Sequence, residues 1–310
     1  GGVGAGAGDP AALGVLVDGT VAVCLAGVNE VALLPPHGGP VRRITVGRRP
    51  IALVGGPAGQ LIAVNTLDDS LSVIDLHRVA VARTIALGPR PPLTARDRGE
   101  RHFYDARLSA DGWMSCSSCH PDGHTTGLLC DTLGDGSYGT PKRTLTLMGT
   151  RLTDPWGWTG QFRYLHDQTE QSLRQTMHTA DVTPGLIREL DTFQSSLPAP
   201  PPAEPVTDDP ADRALVERGR SVFEAHGCGE CHVPPLTYSS HGIHDVGLAD
   251  ERGVRRFSPP SLRGVGHGRR FLHDGRAGSL AEVFTKYRHR VGEGIKGDDL
   301  AALLRFLRSI

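Results

Sequence analysis

Two five-residue segments of this chain carry the residues best suited to redox chemistry. They read C-S-S-C-H at 116–120 and C-G-E-C-H at 228–232, and they hold four of the six cysteines. In such a motif two thiols can add across the vinyl groups of a haem, and the adjoining histidine can ligate the iron. We therefore predict two covalently bound c-type haems. The predicted cofactor-binding residues are Cys116, Cys119, His120, Cys228, Cys231 and His232, with His120 and His232 as metal ligands.

Other uses of these cysteines explain less of the pattern. A zinc site built from two C-x-x-C halves would leave both following histidines without a role, and a thioredoxin-like redox pair would need a βαβ context. Two further cysteines, Cys24 and Cys130, lie outside the motifs. We interpret each as a small buried hydrophobic residue, with a disulfide between them as the alternative in an oxidising compartment.

Composition excludes several classes of protein. The chain of 310 residues has 33 Lys+Arg and 34 Asp+Glu, a formal net charge of −1, so it lacks the basic field of a non-specific nucleic-acid binder. It has no apolar run long enough to span a membrane. With 40 glycines, 23 prolines and only 38% hydrophobic residues, it is rich in loops, and buried porphyrin would supply the missing apolar bulk. Haem attachment to C-x-x-C-H in bacteria happens outside the cytoplasm, which predicts a periplasmic or otherwise exported protein.

The N-terminal part has the pattern of short strands separated by turns. N-E-V-A-L-L at 29–34 returns as D-S-L-S-V-I at 69–74, and R-R-I-T-V-G at 42–47 returns as A-R-T-I-A-L-G at 82–88. The spacing of the repeat is that of one four-stranded propeller blade. The segment resembles bacterial seven-bladed propeller repeats, through the stretch from Asp68 to Asp75, and holds about two blades.

Helix signals follow the propeller-like segment. Asp209 and Pro210 open a helix that leads into the second haem motif, after the proline-rich linker 198–205. A second helix begins at Thr183-Pro184, and a third, with Asp298 as its N-cap, closes the chain. We predict two mainly α cytochrome c-type domains preceded by an all-β propeller-like segment. The predicted boundaries are 1–92 for the propeller segment, 93–205 for the first haem domain and 206–310 for the second.

The two haem domains look like duplicates. R-Y-L-H-D at 163–167 matches R-F-L-H-D at 270–274, and Ser172-Leu173 matches Ser279-Leu280 at the same offset. If this alignment is taken literally, His166 and His273 are equivalent.

A family resemblance rests on the C-terminal half. S-P-P-S-L-R-G-V at 258–265 and F-L-H-D-G-R-A-G-S-L at 271–280 resemble the signature of the bacterial di-haem cytochrome c peroxidases, a family that includes the enzymes maturing a tryptophan-derived cofactor. The resemblance covers about 110–310. It implies that peroxide meets the haem of His120 at an open iron position, and that the haem of His232 relays electrons from a partner.

The resemblance also implies a tryptophan between the two haems. The W-x-G element that carries it matches Trp158-Thr159-Gly160, so Trp158 is the predicted catalytic residue. Two alternatives remain open. Trp156 is a close neighbour, and His166 would take the same position under the literal duplication.

Further ligands and catalytic groups follow from the same resemblance. Tyr287 falls where the family's sixth ligand to the relay iron lies, and His289 is the alternative. On the peroxide side, a helix beginning near Asp167, with Glu170 in a capping box, would present one polar face that could move a proton between oxygens. That face is predicted to carry Gln171, Arg174, Gln175 and His178, opposite Leu173 and Met177, and we select Gln171 and His178 as catalytic candidates.

Calcium is a further cofactor of the family. Ser258 and Pro260 match positions whose backbone carbonyls hold it, but the usual asparagine is replaced around Lys142-Arg143, which argues against calcium here.

These features predict an exported di-haem oxidoreductase that uses hydrogen peroxide to oxidise a protein or a small-molecule electron donor. The main alternative is an electron-transfer cytochrome whose two irons are both six-coordinate and do no peroxide chemistry. A third interpretation is an interaction module, in which the propeller recruits a partner and the haems are regulatory. No nucleic-acid partner is expected.

Overall fold

The structure, a computed structural model, describes residues 6–57, 59–134 and 136–310. The first five residues of the predicted propeller segment lie outside the described residues. Strands dominate the N-terminal part and helices the remainder, as predicted. No helix among the described residues is long and apolar enough to cross a membrane.

The N-terminal part forms two four-stranded antiparallel sheets in which consecutive strands are neighbours. The first sheet contains β1 (Pro10–Val15), β2 (Val21–Leu25), β3 (Glu30–Leu34) and β4 (Arg42–Thr45). The second contains β5 (Pro50–Gly55), β6 (Gln60–Asn65), β7 (Ser70–Asp75) and β8 (Ala80–Ala86).

The sequence repeat corresponds to equivalent strands of these sheets. Its first half falls on β3 and β7, and its second half falls on β4 and β8. Side chains from both sheets share one buried cluster, which includes Cys24, Val31, Leu61 and Ile74, so the sheets pack against each other. The described residues show no closed propeller, because they supply only these two blade-like sheets.

The helices of the remaining chain are short. They are α1 (Ala95–Phe103), α2 (Cys116–Cys119), α3 (Leu165–Gln171), α4 (Pro184–Ser196), α5 (Pro210–Ala225), α6 (Leu280–Thr285) and α7 (Gly297–Arg308). Two-residue ladders join β9 (Leu129–Cys130) to β10 (Lys142–Arg143) and β11 (His244–Asp245) to β12 (Arg256–Phe257).

Helix α5 packs closely on α7. A Cβ atom at Gly219 would lie 2.1 Å from the carbonyl oxygen of Ala302 and 2.6 Å from the Cβ of Phe306, so only glycine permits this approach. Phe223, one turn later, contacts Phe306 with ring centroids 5.5 Å apart. The helix that leads into the second haem motif is thus locked to the helix that closes the chain.

Helix α1, which precedes the first haem motif in the sequence, packs on α4 in the same way. A Cβ at Gly99 would lie 1.9 Å from the carbonyl oxygen of Glu189, and Phe103 contacts Phe193 at 5.1 Å. The shared pattern is R-G-x-x-x-F, at 98–103 and at 218–223. This repeat identifies α1 as the leading helix of the first haem segment, which the sequence analysis missed.

Two helix starts differ from prediction. Helix α3 begins at Leu165 after Tyr164, not near Asp167, and no capping bond is formed by the side chain at its N-cap. Helix α7 begins after Lys296, so Asp298 lies inside its first turn instead of at the N-cap. Both carboxylates still lie at the positive end of a helix dipole. By contrast, Asp209 caps α5 through the backbone N–H of Ala211, as expected.

The chain separates into two compact units. One contains the chain as far as Ser118 together with Met177–Phe193, and the other contains Cys119–Thr176 and Gln194–Ile310. This division differs from the predicted boundaries at residues 92 and 205, and the three-part organisation stays a prediction.

Candidate haem sites

The first C-x-x-C-H motif forms a single helical turn, α2, which ends where His120 begins a tight turn over Pro121–Gly123. The Nδ1 atom of His120 donates to the carbonyl oxygen of His124, at 3.3 Å. Burial lowers the pKa of His120 to about 4, against the opposing effect of the carbonyls of His124 and Leu145. The imidazole is therefore neutral, with its proton on Nδ1 and the lone pair of Nε2 available to a metal.

The second motif repeats this arrangement. A short turn over Cys228–Glu230 precedes Cys231 and His232, and the Nδ1 atom of His232 donates to the carbonyl oxygen of Tyr238, at 3.0 Å. Burial lowers the pKa of His232 to about 4, and it raises the pKa of the Cys228 thiol to about 11. This imidazole too is neutral.

These features fit haem. A histidine that ligates a metal through one nitrogen normally donates its other ring N–H to a carbonyl, and both motif histidines already do so. A four-cysteine zinc site is not favoured, because the part of the chain that the structure describes brings together no group of three or more metal-binding side chains. The two cysteines outside the motifs are free thiols. Cys24 is fully buried between the β-sheets, as interpreted, and Cys130 is half-buried.

Two hairpin-like loops show how the haem segments correspond. An antiparallel bridge joins Trp156 to Phe162, and an equivalent bridge joins Phe271 to Ala277. In each case a helix begins at the same offset after the bridge, α3 at Leu165 and α6 at Leu280. Superposing the loops by their bridges makes Trp158 equivalent to His273.

The duplication predicted from R-Y-L-H-D and R-F-L-H-D is therefore in the wrong register. His273 is almost fully buried, at 2% exposure, whereas the side chain of His166 is 56% exposed and stacks on Tyr164. His166 lies in the first turn of α3, where it cannot be the counterpart of a loop residue. The two segments R-Y-L-H-D and R-F-L-H-D are similar in sequence but lie at positions that are not equivalent in the fold.

Trp158 lies in an aromatic cluster with residues of the second segment. Its ring is 6.4 Å from His273 and 6.4 Å from Phe257, edge to face in both cases, and Phe257 stacks on His273 at 4.2 Å. The Nε2 atom of His273 is buried and has no hydrogen-bond partner among the described residues. The guanidinium of Arg143 lies 5.5 Å from the Trp158 ring centroid. Burial lowers the pKa of Arg143 to about 10.

A hydrogen bond and a short backbone segment lead from Trp158 toward His120. Its indole Nε1 donates to the carbonyl oxygen of Arg143, at 2.7 Å. Two residues further along the chain, the Leu145 carbonyl is one of the two that act on the ring of His120. A path of one hydrogen bond and a short stretch of backbone thus joins the indole to the neighbourhood of the first predicted iron ligand.

Trp158 is linked toward His232 on its other side. The backbone N–H of Ser258 donates to the carbonyl oxygen of Trp158, at 2.8 Å. The Pro260 carbonyl, two residues later, acts on the ring of His232. Trp156 has no comparable links, since its indole donates to the backbone and hydroxyl oxygens of Thr150.

The two residues that could supply a further ligand at the His232 side, Tyr287 and His289, have different surroundings. The hydroxyl of Tyr287 donates to the carbonyl oxygen of Arg276, at 2.7 Å. The Nδ1 atom of His289 is buried without a hydrogen-bond partner among the described residues, and His289 lies close enough to lower the pKa of His232. The alternative ligand, His289, therefore lies near His232, whereas the hydroxyl of Tyr287 is engaged in its hydrogen bond to Arg276.

The predicted polar helix face is only partly formed. Helix α3 ends at Gln171 and continues as a wider π-turn over Ser172–Thr176, which changes the direction of the following side chains. His178 lies beyond this turn, exposed and with a positive φ of 51°, so it does not share a helical face with Gln171. Gln171 is half-buried and donates to the carbonyl oxygen of Leu133 at 3.4 Å. Leu173 and Met177 are buried, as predicted.

The region of the family's calcium positions contains a buried ion pair. The ammonium of Lys142 lies 3.2 Å from an oxygen of Asp250 and donates to the carbonyl oxygen of Thr140 at 2.9 Å. Ser258 is buried, and its hydroxyl donates to the carbonyl oxygen of Pro155.

Comparisons with known proteins show a similarity to one family. Residues 96–197 match the family model of the di-haem cytochrome c peroxidases. Hydrazine synthase subunit gamma of Kuenenia stuttgartiensis is 27% identical over 274 residues, which cover 68% of this chain and 76% of that protein. The methylamine utilization protein MauG of Methylorubrum extorquens is 26% identical over 256 residues, 67% of this chain and 70% of that protein. Cytochrome c551 peroxidase of Nitrosomonas europaea is 20% identical over 261 residues.

Solved structures show the same fold. A hydrazine synthase chain of Kuenenia stuttgartiensis aligns with a TM-score of 0.64 at 22% identity, covering 74% of this chain and 99% of that one. The dihaem peroxidase BthA of Burkholderia thailandensis aligns with a TM-score of 0.54 at 15% identity, covering 84% and 95%. The family-model match and these relatives show that the chain is similar to the di-haem cytochrome c peroxidases, a family of oxidoreductases with two c-type haems.

Proposed function

We propose that this protein is an exported di-haem c-type oxidoreductase that uses hydrogen peroxide to oxidise a protein or small-molecule electron donor. The observation that carries the proposal is the position of Trp158. Hydrogen bonds and short backbone segments lead from its indole and its carbonyl toward the rings of His120 and His232. Links of this kind would suit electron exchange between two redox centres.

The cysteines and histidines of the two motifs would hold the haems. Cys116 and Cys119 would hold one haem, and Cys228 and Cys231 the other, through thioether bonds. His120 and His232 would ligate the irons through Nε2, because their Nδ1 protons are already engaged. When bound, the haem irons supply the redox chemistry for reducing peroxide and accepting electrons.

The remaining catalytic assignments are proposals of the same kind. Trp158 would carry electrons between the two centres. Tyr287, with His289 as the alternative, would complete the coordination at the His232 side. Gln171 and His178 are the groups proposed to hold or move a proton at the His120 side, and the half-buried amide of Gln171 is the better placed to orient a small polar molecule.

The electron-transfer cytochrome is the alternative function, and it would share the assignments made at the His232 side. His289 offers a buried nitrogen without a described partner close to His232, and this nitrogen could hold the same metal as His232. In that case the relay centre would exchange electrons and bind no substrate. The two blade-like sheets would serve either function as a surface for recognising a protein donor.

The resting spectrum and its response to peroxide test the proposal. We expect the ferric holoprotein to contain a high-spin component, which requires an open iron position, and to change its absorption spectrum when one equivalent of peroxide is added. Two low-spin haems in every redox state, including the half-reduced protein, together with inertness to peroxide, would leave the electron-transfer cytochrome as the function.

A further inference from the structure

An open cleft lies beside the loop that carries Trp158. It has a volume of about 480 Å³, and its walls include Thr159, Ile243, Val254, Arg252 and Arg256. All of these residues belong to the same compact unit. The volume falls within the range of about 300–1,000 Å³ that is usual for small-molecule sites. Because Thr159 directly follows Trp158, a molecule in the cleft would contact the Trp158 loop.

The cleft combines cationic and apolar walls. Ile243 and Val254 supply the apolar surface, and two guanidinium groups supply positive charge. One of them, Arg256, is held in place because its Nη2 atom donates to the carbonyl oxygen of Ile243 at 2.9 Å. Among the described residues that line the cleft there is no carboxylate.

The neighbouring arginine differs from these two. Arg255 lies between them in the sequence and faces Asp245, with a guanidinium nitrogen 3.3 Å from a carboxylate oxygen. The described ion pairs include no carboxylate partner for Arg252 or Arg256. Two like charges in one cleft repel each other, and a bound anion would relieve the repulsion. Guanidinium groups match carboxylates particularly well, since two parallel hydrogen bonds can form.

The loop that presents Arg252 is itself anchored. A carboxylate oxygen of Asp250 accepts the backbone N–H groups of Arg252, at 3.0 Å, and Val254, at 2.9 Å. Lys142 pairs with the other oxygen of Asp250. Also in the lining of the cleft, the amide of Gln161 donates to the carbonyl oxygen of Gly134 at 2.7 Å. The cleft is therefore built from restrained loops, which lowers the cost of ordering it around a ligand.

We propose that this cleft binds a small organic carboxylate with an apolar body and holds it against the Trp158 loop. The inference rests on the proposed function for its biological meaning, since such a molecule would be the electron donor. In that use two donor molecules would each lose one electron. The two electrons, with two protons from solvent, would reduce one hydrogen peroxide to two water molecules.

Ferrocenecarboxylate is a suitable probe, because it combines a carboxylate, an apolar body and one-electron chemistry. Its binding to the holoprotein is measured by calorimetry without peroxide, so that a failure of peroxide chemistry cannot affect the result. We expect saturable binding with a dissociation constant of about 0.1–1 mM, weakening as salt is raised. The neutral analogue ferrocenemethanol should bind at least about tenfold more weakly.

Three matched variants locate the site. Arg252→Gln and Arg256→Gln should each weaken binding of the probe about tenfold, whereas Arg255→Gln should change it less than about twofold, because its guanidinium already has a carboxylate partner. With peroxide present, the first two variants should raise KM for the probe and leave kcat unchanged.

Specific results would overturn the inference. One is the absence of saturable binding up to about 10 mM probe. Another is an equal loss of affinity in all three variants, which would indicate a diffuse charge effect. A third is binding of an oligoglutamate peptide, sensitive to Arg252 and Arg256, without binding of the probe, since this would assign the arginines to the side chains of an acidic protein. Binding of the probe to a protein that is inert to peroxide would contradict only the proposed function.

Discussion

At the scale of single residues, the two motif histidines share the hydrogen-bond arrangement that is usual for metal ligands. Each residue is half-buried, has a pKa lowered by desolvation and donates Nδ1–H to a backbone carbonyl, so each presents a neutral Nε2. Trp158 then occupies the position in its loop that His273 occupies in the equivalent loop. Of the two tryptophans in W-G-W, Trp158 is the one that contacts Phe257 and His273 of the second segment.

Replacing Trp158 with Phe tests its role as the electron carrier. The substitution removes the indole N–H bond to Arg143 and the more easily oxidised ring, while an aromatic side chain remains. We expect peroxide to react with the holoprotein at the wild-type rate, and electron transfer between the two haems to slow about tenfold or more, as followed by stopped-flow absorption.

Trp156→Phe is the matched control for this experiment. Its indole donates only to Thr150, so we expect less than about a twofold change in the rate of transfer. Equal slowing in both variants would show that the loop, and not the Trp158 ring, controls the rate.

Two substitutions decide the ligand at the second iron. If Tyr287 ligates the iron, Tyr287→Phe removes an anionic oxygen that stabilises the ferric state, so the reduction potential of that haem should rise. Its low-spin absorption and electron paramagnetic resonance signals should change as well. His289→Ala should then leave both unchanged. The reverse outcome would assign the ligand to His289 and keep the hydroxyl of Tyr287 as a structural bond to the Arg276 carbonyl.

At the scale of elements, the two R-G-x-x-x-F helices hold the haem segments to their closing helices. In both, glycine removes the side chain at the crossing point and phenylalanine fills the space one turn later. The π-turn after α3 is the opposite case. It interrupts a helical pattern that the sequence suggests, and it separates Gln171 from His178.

Gly219→Ala tests the close crossing of α5 and α7. Alanine favours a helix by up to about 1 kcal/mol over glycine, but here its methyl group would meet the Ala302 carbonyl and Phe306. We expect the free energy of unfolding of the holoprotein to fall by about 1–3 kcal/mol, measured by denaturant unfolding.

Gly185→Ala provides a control for helix propensity. Gly185 lies in the first turn of α4, and the nearest atom to its added Cβ would be 3.7 Å away. This substitution should leave stability unchanged or raise it by a few tenths of a kcal/mol. A stable Gly219→Ala variant would mean that the two helices can separate without cost.

At the scale of the whole molecule, acid sensitivity should follow the buried pair of Lys142 and Asp250. Burial alone would raise the pKa of Asp250, but hydrogen bonds from the Val254 backbone, Lys142 and the Arg252 backbone lower it below its ordinary value of 3.8. A carboxylate with a lowered pKa in the folded state stabilises the protein above its unfolded pKa, and this contribution is lost as the pH falls below about 4.

Asp250→Asn measures that contribution. At pH 7 we expect the variant to be less stable than the wild type by about 2–3 kcal/mol, because Lys142 loses a buried partner. The difference should shrink as the pH is lowered to about 3. Asp208→Asn, at a fully exposed carboxylate, should change stability by less than about 0.5 kcal/mol at every pH. If the stability difference between Asp250→Asn and the wild type does not vary with pH, the pair stabilises the fold through packing and not through its charges.

Several properties follow from the sequence alone because they depend on local patterns. The two C-x-x-C-H motifs, the blade-like repeat of the N-terminal strands and the cap of α5 at Asp209 are each set by residues a few positions apart. The resemblance of residues 258–280 to the di-haem cytochrome c peroxidases is likewise visible without any structure. Near neighbours along the chain were sufficient in each case.

Tertiary structure decided the properties that depend on distant residues. The equivalence of Trp158 and His273 appears only in the pairing of the loop ends, since the letters of R-Y-L-H-D point to the wrong register. The surroundings of Tyr287 and His289, the partner of Lys142 and the arginine cleft beside Trp158 also depend on contacts between segments far apart in sequence. A sequence pattern fixes which residue types are present, whereas burial and direction, which set their chemistry, come from the packing of the whole chain.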